Sequence, residues 1–141
     1  MSSRLVVNNI RHTGASVDAI TLDNSGNFST GGTITDSKGD IRKIVINTKS
    51  SAYTLLATDA GKAIYISSGG VTIPNAVLSA GDAVTIINNS GSSQTITQGT
   101  SLTMYNTADA ATGNRALSGR GMATIYFADS STAYISGSGL S

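Results

Sequence analysis

Cysteine is absent from this chain. Disulfide frameworks, thiolate zinc sites and cysteine nucleophiles are therefore excluded together. Glutamate is absent too, so the 8 acidic residues are all Asp. An EF-hand would lack its bidentate Glu, and a glycosidase pair would have to be built from two Asp that no spacing brings together. One histidine, His12, cannot supply a catalytic triad and a multi-histidine metal site within a single chain. Tryptophan is missing, proline occurs once, and charged residues make up only 12%, about half the usual share for a soluble domain. Long apolar runs are missing as well. Residues 5–7 are too short for a signal-peptide core, and nothing approaches a membrane-spanning length. A soluble product without a cleaved leader, with no membrane partner, is the expectation.

What replaces these residues is Gly, Ser, Thr, Asn and β-branched side chains. Good helix formers are scarce, and the composition is that of an all-β protein. At 141 residues the chain has the length of one domain with a short extension. The 9 Lys and Arg nearly balance the acids, which argues against electrostatic nucleic-acid binding. The balance is uneven along the chain, however. Arg4, Arg11, Lys38, Arg42, Lys43 and Lys49 face only Asp18, Asp23, Asp36 and Asp40 in the first third, whereas residues 63–114 contain no Lys or Arg. A basic N-terminal arm, residues 1–49, that docks on another surface is expected to precede a β-domain, residues 50–141.

In the arm, residues 19–22, an extended piece beginning at Phe28, and residues 33–35 read as short strands around the turn Asp23-Asn24-Ser25-Gly26-Asn27. Such hairpins bury too little surface to be stable alone, so they are expected to pack on the main domain or on copies of the chain. In the second part the strand candidates are residues 53–56, 63–67, 71–73, 83–88, 94–97, 102–105, 123–128 and 133–136. Short strands at roughly ten-residue spacing predict a β-sandwich of jelly-roll type. The stretch 82–108 alternates like a hairpin, yet Asp82 is its only charged residue. Pro74 fits the end of a strand. Residues 107–114 offer a helical turn stopped by Gly113, and residues 118–122 a tight loop before a strand. Residues 122–127 form the most apolar strand candidate; Tyr126 is expected in its core, and the strand is expected to be central or covered by a subunit.

No residue is assigned a catalytic, cofactor-binding or metal-binding role. The Asp residues sit beside Gly, Ser, Asn or Ala, where a carboxylate accepts local backbone hydrogen bonds. Asp23 to Asn27 lacks the glycine and glutamate positions of a calcium loop and reads as a hairpin turn. Gly119-Arg120-Gly121 lacks the spacing of a phosphate-binding loop. Tyr53, Tyr65, Tyr105, Tyr126 and Tyr134 read as core or interface residues before they read as a sugar-stacking platform.

The phrases TDAGKAIYIS, GDAVTIINNSG and GRGMATIYF, carried in the runs 52–99 and 112–140, resemble a β-structured module of virion structural proteins of tailed bacteriophages, marine and cyanobacterial phages above all, and the resemblance extends from about residue 16 to residue 140. The segment DAITLDNSGNFSTGGTIT is similar to short β repeats that precede such modules in phage fibres. The resemblance implies a non-enzymatic virion component without cofactors, assembled in the host cytoplasm as a homotrimer and exposed on the particle. A capsid decoration or cement protein bound to the major capsid protein or other virion proteins is the first expectation. A short head or tail fibre, or an adhesin module that binds host surface glycans, is the alternative.

Overall fold

The computed structural model describes residues 7–37, 39–41 and 43–141. Readings that rest on Arg4, Lys38 and Arg42 lie outside the described residues. The protein is all-β, with no α-helix among the described residues. It divides into two compact units, Met1–Lys43 and Ile44–Ser141.

In the first unit, β1 (Asn9–Ile10), β2 (Ile20–Leu22) and β3 (Phe28–Thr30) form a three-stranded antiparallel sheet, and β4 (Thr35–Asp36) pairs with β5 (Gly39–Asp40). Asp23 builds the β2–β3 turn. Its carboxylate accepts the N–H groups of Ser25 and Asn27 and the amide of Asn27, while Gly26 takes the positive φ the turn needs. These bonds hold the Asp23 carboxyl below its ordinary pKa. None of the residues of this unit whose burial is described is buried, and Val17, Phe28 and Ile41 are well exposed. Strands of two or three residues cannot enclose a core.

The second unit contains β6 (Ile46–Lys49), β7 (Tyr53–Thr54), a 3₁₀ turn (Ala57–Asp59), β8 (Ala63–Ile66), β9 (Val71–Ile73), β10 (Ala83–Asn88), β11 (Gln94–Gln98), β12 (Thr103–Asn106), β13 (Arg115–Phe127) and β14 (Thr132–Leu140). The division between Lys43 and Ile44 does not coincide with the change of composition at Ser50. β6 lies on the arm side of that composition change, yet it pairs in parallel with β8, Ile46 opposite Ala63 and Lys49 opposite Ile66.

The nine strands form one mixed sheet, ordered β6-β8-β10-β13-β11-β9-β7, with β14 on the other side of β13 and β12 beyond it. The strands pair differently from those of an antiparallel jelly roll. β6, β8 and β10 run parallel, and so do β7, β9 and β11. Each successive pair of strands, β6 with β7, β8 with β9 and β10 with β11, is one turn of a coil, stacked on the turn before it. The two ends of the main strand order, β6 and β7, are consecutive in the chain, and the sheet is nearly closed on itself.

Residues 82–108 are consequently no hairpin. β10 and β11 do not pair with each other but lie end to end along β13, at Met122 to Tyr126 and at Arg115 to Leu117 respectively. β13 is one strand where the sequence suggested a loop at residues 118–122. The loop signal marks a real feature, a break in register against β14 between Leu117 and Met122 with Arg120 at φ 65°. There the strand bends as β10 gives way to β11. Residues 107–114 form turns in place of the suggested helical turn. Pro74 directly follows β9, as expected.

Alternation fills the interior. Ile64 and Ile66, Val84 and Ile86, Ile125 and Phe127, Ile135, Val71 and Ile73, Ile96 and Met104 point inward and are buried together with Leu55, Leu78, Leu102 and Leu117. The core reading holds for the strand around residue 125 but not for Tyr126, which is 50% exposed. Period-two geometry sends Ile125 and Phe127 to one face and Tyr126 to the other.

Candidate interaction surface

Three polar side chains are buried, Asp59, Asn88 and Asn106, and the first two hold the ends of the coil. Asn88 continues the inward series Val84, Ile86 at the end of β10 and is 0% exposed. Its amide donates to the carbonyls of Ser92, Leu117 and Ser118, and its oxygen accepts the N–H and hydroxyl of Ser90. Asn88 thus ties the β10–β11 corner to the bend of β13. At the bend, Arg120 donates to Asn89 and its N–H reaches the Ser90 carbonyl, so the glycine-flanked arginine has a structural task.

Asp59 seals the opposite end, in the first turn of the coil. It is 1% exposed and accepts hydrogen bonds from the Leu56 N–H (2.9 Å), the Tyr53 hydroxyl (2.7 Å) and the Asn47 amide (2.8 Å). Burial alone would raise its pKa. The three bonds and the nearby Lys62 charge outweigh burial and bring it below the ordinary value of 3.8. The Tyr53 phenol is pushed up, first by burial and then by its bond to Asp59. Both shifts favour a neutral donor on an ionised acceptor. Lys49 Nζ stands 4.2 Å from the centre of the Tyr53 ring, a cation–π contact that completes this polar closure. Sequence reading placed Asp59 among simple turn residues. Its signal was the in-register polar set Asn47, Lys49 and Tyr53 where the later turns of the coil carry Ile64, Ile66 and Val71.

These groups are spent on structure. His12 is exposed in the first unit, its Nδ1 accepting the Gly14 N–H. Asp129 is used by the β13–β14 turn, where its carboxylate accepts the Ser131 N–H and hydroxyl, which hold its pKa down. No group of three or more His, Cys, Asp or Glu that could hold a metal occurs among the described residues.

The outer face of the ladder β6-β8-β10-β13-β14-β12 is different. The register aligns Ile46, Ala63, Thr85, Thr124 and Ser136 in one row and Thr48, Tyr65, Ile87, Met122 and Ser138 in the next. A third row joins Ala83, Tyr126, Tyr134 and Tyr105. No outward position in these rows carries a charge. Ile44 is 68% exposed, Ile46 62% and Met122 51%. Together with Ala63, Thr85, Ile87 and Thr124 they line a groove of about 320 Å³. At the far end Tyr105 and Tyr134 stack with ring centres 5.6 Å apart beside a cleft of about 290 Å³ that also includes Asn106, Thr107 and Ala110. Sequence reading grouped all five tyrosines. The fold brings Tyr65, Tyr105, Tyr126 and Tyr134 to this one face and turns Tyr53 inward.

The face is uncharged, and Ile44, Ile46, Met122 and Tyr126 on it are half exposed or more, an unusual concentration of exposed large apolar side chains. No protein-family model matches the chain, and no curated protein matches it.

Proposed function

We propose that this chain is a non-enzymatic structural protein of a tailed-bacteriophage virion, a capsid decoration or cement protein displayed on the particle. The observation that carries this reading is the neutral outer face with Ile46, Met122 and Tyr126 half exposed or more. Such a face suits a permanent assembly, because its burial strands no charge and depends little on salt. The first unit supports the same reading: none of its side chains whose burial is described is buried within the chain, which leaves its short strands surface to bury on a partner. The partners in this reading are copies of the chain, as a homotrimer, together with the major capsid protein or other virion proteins; nucleic acid and membrane are not among them. The engaged state of Asp23, Asp59 and Asp129 supports a role without catalysis.

Cryo-electron microscopy or immunogold labelling of virions tests the proposal. Density or label at regular capsid positions supports decoration. Label on the tail instead overturns it in favour of a short fibre. A second reading is favoured by one specific feature, the stacked Tyr105–Tyr134 pair beside its cleft. Exposed aromatic faces bordered by amide and hydroxyl groups suit sugar rings, as in an adhesin module for host glycans. A glycan array without hits removes it.

A further inference from the structure

We infer that copies of this chain pack against one another through the outer face of β6, β8, β10 and β13, with Ile46 and Met122 at the centre of the contact. The inference rests on the proposed assembly of the chain into an oligomer and names the surface that makes it.

The first argument is charge. A partner bearing charges would lose their hydration against Ile46, Ile87 and Met122 without gaining a counter-charge, because the outward positions offer none. A second copy brings an equally neutral face, so nothing charged is buried on either side. The second argument is shape. Ile44 and Ile46 form one ridge and Met122 the other, while Ala63 and Thr85 between them leave the groove of about 320 Å³. With ridge and groove side by side on one face, the ridge of each copy can enter the groove of the next around a threefold axis.

The third argument is the edge. β6 ends the ladder, with one hydrogen-bonding side unpaired within the sheet. Its sequence, INTK, has neither a proline nor an outward charge to discourage pairing. A contact centred on Ile46 shields this edge as well as the face. The four strands, about 4.8 Å apart and about five residues long, make a plane of roughly 320 Å² before side-chain relief is counted. A contact reaching the roughly 800 Å² per partner of stable interfaces therefore extends from them onto the neighbouring β14 and β12.

The test is the mass of the full-length protein, by light scattering and sedimentation, for wild type, Met122→Lys and Ile46→Lys, with Thr54→Lys on β7 as a control. The expected result is an oligomeric wild type and control, and self-association weakened at least tenfold in the first two variants, with unchanged circular dichroism. Should the lysine variants not fold, a Met122→Cys variant reports in their place, since the chain has no other cysteine. A short bis-maleimide should then join copies in high yield. An oligomer that survives both lysine substitutions, or that does not cross-link, overturns the inference and leaves the assembly reading standing on another surface. A monomeric wild type overturns it too. In that case slow maleimide labelling of the Met122→Cys variant assigns the face to another part of the same chain. None of these outcomes bears on where antibodies label the virion.

Discussion

Asp59 shows how one side chain can set the acid limit of the fold. Its pKa is lower in the folded protein than in the unfolded chain, so it contributes stability that is fully present above the ordinary carboxylate value and lost as pH falls through the lower folded value. Asp59→Asn replaces one acceptor oxygen by a donor that faces other donors, at a cost of about 1–3 kcal/mol at neutral pH. The expected outcome is a lower melting temperature at pH 7 and a flatter decline below pH 4, read by thermal melts across that range. Exposed Asp23 and Asp129 also have lowered values, so some acid dependence should survive the substitution. A second comparison separates the two faces of β13. Ile125→Ala opens a cavity in the core and should cost about 2–5 kcal/mol in denaturant titrations. Tyr126→Ala should change monomer stability far less. Equal losses would mean that the alternation along β13 is wrong.

Among the elements, the corner between β8 and β9 has the least room. Gly69 and Gly70 both have positive φ, and a Cβ on Gly69 would lie 2.1 Å from the Ala52 nitrogen while one on Gly70 would lie 2.4 Å from the Thr95 carbonyl. One glycine abuts the preceding turn of the coil and the other the following one, so neither neighbour can retreat without moving a strand. Gly69→Ala and Gly70→Ala should each cost more than the roughly 1–3 kcal/mol of strained backbone alone. Loss of soluble protein, or of the β signal in circular dichroism, checks this. Most strands are legible in the sequence to within a residue or two, because alternation and turn residues are local signals. The sequence does not show that β6 stacks on β8 and β8 on β10, since parallel pairing joins residues far apart in the chain and leaves no hairpin turn to announce it. The bend of β13 was read as a loop for a related reason: Gly119, Arg120 and Gly121 carry the chemistry of a turn, while the hydrogen bonds that keep the strand continuous come from distant partners. Of the interaction surface, the chargeless character was legible and the gathering of four tyrosines on one face was not.

For the molecule as a whole, the boundary between the units decides what can be cut away. A fragment of residues 44–141 retains β6 and the Asn47 bond to Asp59, whereas a fragment of residues 50–141 loses both and bares Ile64. The shorter fragment should therefore melt more than about 10 °C below the longer one, given the several degrees that each kcal/mol is worth in a domain of this size. Similar melting temperatures would show that β6 is dispensable. If the proposed docking role of the first unit holds, the longer fragment should fold yet fail to decorate particles, which an occupancy measurement by electron microscopy reads. The parallel stacking has one more consequence, which concerns how such a protein can change length. In the second turn of the coil, residues 63–84 make one complete circuit, after which Thr85 lies directly over Ala63. A duplicated circuit would meet above and below it the same kind of neighbour that it already has. The unit can thus be elongated in steps of one strand spacing, about 4.8 Å each, with its polar closure at one end and β13 at the other left as they are. Its reach is adjustable by duplication alone.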